Sequence, residues 1–444
     1  MRASTYDVLG VGFGPANLAL AIALEEDGEK AGGRHLSRLF LDTKSEQVWH
    51  PGLLLENSLI QISVLKDLVT IVNPRSRFTF LNYLKEKGRL FEFLNLRDLF
   101  PTRLEFNDYL RWVSSQLDHD ARFSRQVEAV EPIDEGGGRI ERLRVRARNL
   151  LTGDAEEYQT RSLVVATGGK PWLPEGVELE PEGRAFHAHE TLQRLERDFP
   201  ESQRAYRFVV IGSGQTGAEL FDYLMRRYPK AEVTAAIRRF AFKPVDESDF
   251  TNEIFFPENI DFFYGLPDAK RAAFFESLKD VNYAVVDHPL IKRIYRGLYD
   301  ERARGIERGR VMRFLDLERL SEEPGKVVAH FRNQMTEEPV VLEADGLIVA
   351  TGYERPKRHP LLRSLDAHFL SAPSGRYKME RDYSIAARPG FEAKVYLQGD
   401  CEESHGISET VLSLVPQRAQ DILASLKGVL AAEATPLEPA LAGC

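Results

Sequence analysis

Two glycine-rich segments, each between a strand-like run and a helical pattern, constrain the fold of this chain most strongly. Residues 10–17 read GVGFGPAN and follow the run 7–9, whereas residues 212–217 read GSGQTG and follow the run 208–211. Apolar residues then recur at helical spacing after both segments. Strand, tight turn and helix in this order are typical of a dinucleotide site, where glycine lets the backbone approach a pyrophosphate. We therefore expect two bound nucleotides.

One such glycine pattern alone is weak evidence, because glycine-rich turns are common, but two in the correct context are much stronger. The first departs from the usual pattern, since Pro15 replaces the third glycine, and proline is tolerated in the first turn of a helix. The residues expected to contact the two nucleotides are Gly10, Gly12, Gly14 and Pro15 in the first segment and Gly212, Ser213, Gly214 and Gln215 in the second.

The strand that follows each glycine segment distinguishes the two nucleotides. The run 39–41 ends in Asp42, and a carboxylate there suits the hydroxyls of an unphosphorylated ribose. Asp42 lies farther downstream than usual, which the charged insert 25–34 explains. The run 233–237 ends in Arg238, whose guanidinium can pair with a 2′-phosphate, so the second site favours NADPH. The alternative for Arg238 is a solvated strand end.

Composition indicates an enzyme that acts on small molecules. The 444 residues suggest two to three domains, and 43% hydrophobic content is enough for substantial cores. A net charge of −9 argues against nucleic acid as the main partner. The sequence shows no signal peptide and no membrane span, so we expect a cytoplasmic protein. The two cysteines form no C-x-x-C pair and the histidines are scattered, so we expect no metal site.

The order of these patterns predicts an α/β fold with two Rossmann-like domains, one interrupting the other. The runs 163–168 and 347–352 both end in Ala-Thr-Gly and mark the expected crossovers between domains. A later run, 395–400, ends in Gly399 and Asp400, which suits the ribityl chain of a flavin, although a simple turn explains this dipeptide equally well. A helix is predicted over 408–426, beside the flavin.

We therefore predict a discontinuous FAD-binding domain from residues 1–200 and 345–430 and an NADPH-binding domain from residues 203–344. A small, mostly helical substrate-binding region is inserted at about 245–305. Residues 431–444 are small, contain proline and are predicted to be disordered.

Several further segments resemble the flavin-dependent N-hydroxylating monooxygenases, most closely the L-ornithine N5-monooxygenases of hydroxamate siderophore biosynthesis. The resemblance runs from about residue 5 to residue 428. The segments that carry it are 49–52 (WHPG), 61–70 (QISVLKDLVT), 80–84, 105–112, 249–253 (DFTNE), 281–287, 345–353 and 404–408 (SHGIS).

The resemblance implies hydroxylation of the terminal amine of L-ornithine with FAD, NADPH and dioxygen, through a flavin hydroperoxide, in a homotetramer. It implies that Lys66 binds the substrate α-carboxylate and that Asn252 and Asn282 hold the α-amino and carboxyl groups. Ser408 would lie beside the flavin and the substrate side chain, and Gln61 would touch the flavin near the oxygen site. The catalytic group would be Gln61, Asn282 and Ser408, and further cofactor contacts would come from Trp49, His50, Thr351 and Gly399.

Each residue also has a simpler explanation when its neighbours alone are considered. Lys66 beside Asp67 is most often a surface ion pair, and Asn252 or Asn282 a loop-capping amide. Val64 and Ala284 depart from the commoner residues of these motifs, so the substrate is less secure than the reaction.

Three other functions stay open at this stage. The same chemistry on L-lysine or on a diamine such as putrescine is the nearest. A flavoprotein that oxygenates ketones or sulfides and a module that only senses nucleotides are the others. Pyridine nucleotide-disulfide reductases share the two-nucleotide plan, but this chain lacks their cysteine pair.

Overall fold

The computed structural model describes residues 5–33, 35–134 and 136–434. The strands are β1 Thr5–Val11, β2 Arg38–Leu41, β3 Ala121–Arg122, β4 Arg125–Ile133, β5 Arg142–Asn149, β6 Ala155–Val165, β7 Lys170–Pro171, β8 Ala185–His187, β9 Arg207–Ile211, β10 Glu232–Ala236, β11 Gly309–Met312, β12 Leu315–Glu323, β13 Lys326–Asn333, β14 Pro339–Ala344, β15 Gly346–Val349, β16 Tyr353–Glu354 and β17 Lys394–Leu397. The α-helices are α1 Pro15–Lys30, α2 Phe80–Glu86, α3 Leu90–Asn95, α4 Arg103–Gln116, α5 Thr191–Asp198, α6 Gln215–Arg227, α7 Asp249–Asn252, α8 Glu258–Gly265, α9 Asp268–Ser277, α10 His288–Ala303, α11 Glu402–His405 and α12 Val415–Ala434.

The first sheet is built around β1, which pairs in parallel with β2 and β6. The far side of β6 pairs in parallel with β17 and in antiparallel fashion with β5, which continues to β4. The last residues of β1 and all of β2 are buried, as expected for parallel strands covered on both faces. Helices α1 and α12 contact each other and share a hydrophobic core with this sheet.

The second sheet is parallel throughout, in the order β11-β10-β9-β15-β8. Two of its strands, β8 and β15, lie in ranges that the sequence-based boundaries give to the first domain. Helices α7 to α10 form the connection between β10 and β11, where the mostly helical insertion is expected. The α/β fold with two dinucleotide-binding domains is confirmed.

The chain crosses between the two main sheets twice, and a short strand in each crossing pairs with the other. β7 follows the first Ala-Thr-Gly triplet and β16 follows the second, and they pair with each other as an antiparallel ribbon. A separate antiparallel sheet, β12-β13-β14, packs beside the second domain. Both chain crossings therefore lie side by side.

The helix predicted from residue 408 begins later than expected. Residues Ile407–Thr410 and Leu412–Leu414 form 3₁₀ turns, Val411 between them is extended, and α12 starts at Val415. The buried carboxylate of Glu409 explains the delay, because it accepts hydrogen bonds from the backbone of Gly399 and Cys401. Of the predicted tail, residues 431–434 continue α12, and the rest lies outside the described residues.

Within the described ranges, no helix is both long and apolar enough to cross a bilayer. The same residues contain no cluster of histidine, cysteine, aspartate and glutamate that could hold a metal ion.

Candidate active site

The first glycine loop, residues 10–17, leaves open space beside its backbone. Gly12 has φ +85°, and a Cβ there would lie 2.5 Å from the carbonyl oxygen of Ala166, so only glycine fits. Gly14 precedes Pro15, the first residue of α1, and a Cβ at Gly14 would meet no atom within 4 Å. The helix N-terminus therefore faces a free space that suits a pyrophosphate.

The second glycine loop, residues 212–217, repeats this construction. Gly212 has φ +141°, and a Cβ there would lie 2.3 Å from the carbonyl oxygen of Ala350. Ala166 and Ala350 are the alanines of the two Ala-Thr-Gly triplets, and each donates its amide to the strand before its glycine loop, to Val11 and Ile211 respectively. Each crossover therefore fixes one nucleotide loop.

The segment 282–285 covers the second glycine loop. A Cβ on Gly214 would lie 3.3 Å from the Cα of Ala284, which has φ +54°. Arg239 donates to the carbonyl of Ala284 at 3.2 Å and holds this conformation. Ala284, which departs from the commoner residue of its motif, is therefore a position where the backbone comes close to Gly214. Its small side chain leaves the glycine loop accessible.

A cavity of about 920 Å³ lies between the two domains. It collects predicted residues from both: Gln61, Gly212, Ser213, Gly214, Gln215, Arg238, Asn282, Thr351 and Gly399. The other predicted residues lie outside its lining: Gly10, Gly12, Gly14, Pro15, Asp42, Trp49, His50, Lys66, Asn252 and Ser408. The cavity therefore joins the second glycine loop to the end of β17.

Two predicted cofactor residues already have protein partners. The amide of Gln215 donates to Asp287 at 2.9 Å and to Glu219 at 3.0 Å, and its oxygen accepts from the backbone of Asp287. Thr351 donates its hydroxyl to the carbonyl of Trp172. Both side chains thus hold the walls of the cavity in place.

Arg238 lies at the edge of the cavity, and its side chain is 61% exposed. Its guanidinium lies 6.0 Å from the ring centre of Trp172 and 3.9 Å from Asp316. These loose contacts leave its hydrogen-bond donors available to an anion.

Asp42 follows β2 and supports the first glycine loop. One carboxylate oxygen accepts from the backbone amide of Phe13 at 2.7 Å, and the other accepts from the backbone amide of Lys44 at 2.9 Å. Each oxygen retains a second lone pair for a ribose hydroxyl.

Trp49 and His50 lie between the first domain and the second crossover. The backbone amide of Trp49 donates to Asn107 at 2.7 Å, and the His50 ring lies 6.0 Å from that of Tyr353. Burial, with help from the nearby Arg103 charge, lowers the pKa of His50 to about 4. His50 is therefore neutral at physiological pH.

Lys66 ends a 3₁₀ turn, Val64–Lys66, and its side chain is exposed. The ion pair with Asp67 that its neighbourhood suggests does not form. The Asp67 carboxylate is buried and accepts hydrogen bonds from the backbone of Val69, Thr70 and Phe80. Within the described ranges no carboxylate lies at ion-pair distance from Lys66, so its charge is available to a ligand.

The remaining substrate candidates occupy different surroundings. Asn252 donates to the carbonyl of Glu247 at 3.0 Å, which is the loop-capping role, whereas Asn282 is exposed to the cavity. Ser408 is buried in the 3₁₀ turn Ile407–Thr410. The turn that carries Lys66 packs against Leu412–Leu414, close after Ser408 in the chain.

A buried polar network connects the first glycine loop to the end of β17. Asn17 donates to the carbonyl of Gly12 at 2.6 Å and accepts from Gln398 at 2.8 Å. Gln398 accepts from Arg418, which pairs with Glu409 at 2.9 Å. Sequence reasoning missed this network, because its members lie far apart in the chain. The only local signal is a lone asparagine at the start of an apolar helix.

Two carboxyl groups that follow β17 have raised pKa values, and of these the sequence had indicated only Asp400, as a flavin contact. Burial raises the pKa of Asp400 to about 6 and that of Glu402 to about 7. Both line the cavity, and one oxygen of Asp400 is buried without a hydrogen-bond partner. Their signal in the sequence is the acidic run DCEE directly after Gly399.

Comparisons with known proteins agree on one family. The family model for L-lysine 6-monooxygenase/L-ornithine 5-monooxygenase matches residues 4–355. The chain is 40% identical to an L-ornithine N(5)-monooxygenase from Burkholderia cepacia, covering 91% of this chain and 90% of the relative. The reduced form of an ornithine hydroxylase from Pseudomonas aeruginosa is similar with a TM-score of 0.90 and 37% identity, covering 96% of this chain and 100% of the other.

A second solved structure carries ligands. It is a Kutzneria ornithine N-hydroxylase described with reduced FAD, NADP⁺ and L-ornithine. This structure is similar to the chain with a TM-score of 0.89 and 34% identity, covering 96% of this chain and 99% of the other.

Proposed function

The chain belongs to the L-lysine 6-monooxygenase/L-ornithine 5-monooxygenase family, and we propose that it hydroxylates the terminal amine of L-ornithine with FAD and NADPH. The observation that carries this proposal is the interdomain cavity, which joins the second glycine loop and Arg238 to Gln61, Asn282 and the end of β17. A reducing nucleotide and an amino acid can therefore meet beside the first domain. Its product would be N5-hydroxyornithine, a precursor of hydroxamate siderophores.

The residues of the first domain fit FAD. The free space at Gly14, the N-terminus of α1 and the carboxylate of Asp42 would hold the pyrophosphate and a ribose. Gly399 and Gln61 would lie toward the flavin ring. When bound, FAD would supply the activation of dioxygen, and the protein supplies binding and orientation.

The second domain fits NADPH. Gly212, Ser213 and Gly214 line the cavity at the N-terminus of α6, and Arg238, which follows β10, is held only loosely by Asp316 and can donate to a phosphate. Tight packing of Gly212 against Ala350 keeps the backbone near the ligand.

Replacing Arg238 with alanine should raise the KM for NADPH by about 10- to 100-fold, because a charge-assisted hydrogen bond contributes about 1.5–3 kcal/mol. The KM for NADH should change little, since NADH lacks the 2′-phosphate. Initial-rate measurements with both nucleotides check this. Arg310→Ala, which removes an exposed arginine of β11, is the matched control. Equal losses with NADPH and NADH would show that Arg238 does not bind the phosphate.

The remaining work of the protein is to position the amine and to keep water away. Lys66 would bind the α-carboxylate, while Asn252 and Asn282 would hold the α-amino and carboxyl ends, and Ser408 would contact the side chain. Anchoring the far end of the substrate fixes how far its amine reaches. Holding the amine within about 3–3.5 Å of the atom that it attacks can account for much of the rate enhancement. Gln61, Asn282 and Ser408 would form the wall around the reacting amine.

Product identification tests the proposal. With L-ornithine, NADPH and dioxygen, we expect N5-hydroxyornithine to form in step with NADPH oxidation. L-Lysine and putrescine are tested in parallel. NADPH oxidation without an N-hydroxylated product from any of the three would end the proposal.

L-Lysine is the second candidate substrate, because the family description names both amino acids. One additional methylene changes binding by only about 1–3 kcal/mol, but it also moves the amine relative to its anchored end. Length selection should therefore appear in hydroxylation more than in binding. The departures at Val64 and Ala284 keep this alternative open.

An exposed apolar surface supports the expected homotetramer. It lies on α3, on the chain between α3 and α4 and on the first turn of α4, and it consists of Phe91, Leu94, Leu96, Leu99, Phe100 and Leu104. Large exposed apolar surfaces often mark a protein interface. The tetramer, the use of dioxygen and the cytoplasmic location stay predictions.

A further inference from the structure

Glu402 is a carboxyl group without a cation partner among the described residues, and it lies at the wall of the interdomain cavity. It is the first residue of α11, is half-buried and lines the cavity together with Asn282. Thr410 donates its hydroxyl to one carboxylate oxygen of Glu402 at 3.1 Å, and Tyr283 lies 3.3 Å from the same hydroxyl. This places the carboxylate beside the segment that bears Asn282.

The other charged groups around Glu402 lie on its own segment, on α8, α9 and the turn Ile407–Thr410, and across the cavity. Glu258 of α8 and Lys270 of α9 have no ion-pair partner among the described residues, and His405 of α11 is neutral because burial lowers its pKa to about 4. The other groups form ion pairs. These pairs are Asp261 with Arg381, Asp268 with Arg271, Glu276 with Lys279, Asp400 with Arg355, Glu403 with Arg376, and Glu409 with Arg418. Tyr264 of α8 donates to the carbonyl of Met379. Among the described residues, no lysine, arginine or histidine lies at ion-pair distance from Glu402.

We propose that Glu402 binds the terminal ammonium group of the substrate and accepts the proton that this group must lose before hydroxylation. The inference rests on the proposed function. In the step, one N–H bond of the ammonium breaks and one O–H bond forms on Glu402, which leaves a neutral amine and a neutral carboxylic acid. No other reactant is required.

The energetics explain why such a group is needed. A free alkylammonium has a pKa near 10.4, so at pH 7 about one amine in 2,500 is reactive, which costs about 4.6 kcal/mol. Burial in the cavity raises the pKa of Glu402 and would lower that of the amine. The two pKa values then approach each other, and the proton can move between them at little cost.

Calorimetry of L-ornithine binding to the FAD-loaded protein tests the inference without turnover. Titrations in two buffers of different protonation enthalpy give the number of protons exchanged. Free Glu402 is about half protonated at pH 7, and the pair of groups shares one proton in the complex, so binding should release about half a proton. L-Norvaline, which lacks the terminal amine, should release none.

Glu402→Gln should abolish this release, and it should lower kcat at pH 7 about 100-fold, within the usual range for losing a proton acceptor. Its kcat should keep rising up to pH 9, whereas the wild-type kcat should fall as the pH drops below about 7, since protonated Glu402 cannot accept a proton. Glu196→Gln, on the exposed face of α5, is the control and should behave as wild type.

Proton release by Glu402→Gln equal to that of the wild type, or equal release with L-norvaline, would overturn the inference. Should Glu402→Gln not fold, Thr410→Val keeps the carboxyl group but removes the hydroxyl that stabilises its anion. The pH of half-maximal proton release should then rise, and an unchanged pH overturns the inference. Failure of the wild type to form any hydroxylated amine would instead defeat the proposed function.

Discussion

Lys66→Ala is expected to raise the KM for L-ornithine by at least about 30-fold and to leave turnover of putrescine nearly unchanged. Lys66 is exposed in the free protein, and bound substrate and cofactors would cover it. Without Lys66 the substrate carboxylate would lose its partner in that partly buried complex, at a cost of about 2–5 kcal/mol. Putrescine has no carboxylate and gains nothing from Lys66. Because Asp67 is occupied by backbone amides, no internal partner competes for the Lys66 charge.

Steady-state kinetics with both substrates check this expectation. Lys85→Ala, which removes an exposed lysine of α2, is the matched control and should alter neither KM. Lys66→Arg keeps the charge but changes its reach, so part of the affinity should return. An unchanged KM for L-ornithine in Lys66→Ala would show that the carboxylate binds elsewhere.

Glu409→Ala is expected to cost about 3–5 kcal/mol of stability, because it leaves the Arg418 guanidinium buried without a counter-charge. It also removes the acceptor of two backbone amides, at Gly399 and Cys401. The unfolding temperature should fall by about 10 °C for a domain of this size. Since Gly399 lies at the cavity, flavin should also be released more readily.

Differential scanning calorimetry and flavin fluorescence measure the two effects. Glu196→Ala removes an exposed carboxylate and should shift the unfolding temperature by no more than about 1 °C. Replacing both members, Glu409→Leu with Arg418→Met, should recover most of the loss, because an apolar pair leaves no buried charge. If the double variant is as unstable as Glu409→Ala, the loss of stability comes from the unsatisfied backbone amides of Gly399 and Cys401 rather than from the buried charge.

Local patterns in the sequence were sufficient to predict the two glycine loops and their strands. Gly12 and Gly212 have φ values of +85° and +141°, which glycine adopts readily, and the strand and helix patterns on either side indicated the turns. The positions of Asp42 and Arg238 were also predictable, because each residue follows the carboxyl end of a strand next to a glycine loop. The family resemblance then supplied the reaction.

Contacts between distant residues could not be predicted. Asn17 and Gln398 meet across almost the whole chain, and nothing near either residue indicates the other. The neighbouring positions of Lys66 and Asp67 wrongly suggested an ion pair. The Asp67 carboxylate instead accepts hydrogen bonds from backbone amides in the interior. Helix periodicity likewise predicted a start at residue 408, whereas the turns set by Glu409 delay it to Val415. The unpaired state of Glu402 depends on six surrounding ion pairs that only the fold assembles.

The contact of each glycine loop with an alanine carbonyl limits how the protein can be engineered. Gly12 lies against Ala166 and Gly212 against Ala350, so each loop and its crossover form one mechanical unit. A loop transplanted from another flavoprotein to change nucleotide preference should therefore be moved together with its Ala-Thr-Gly triplet. Exchanging the loop alone would place a foreign backbone against an unmatched carbonyl.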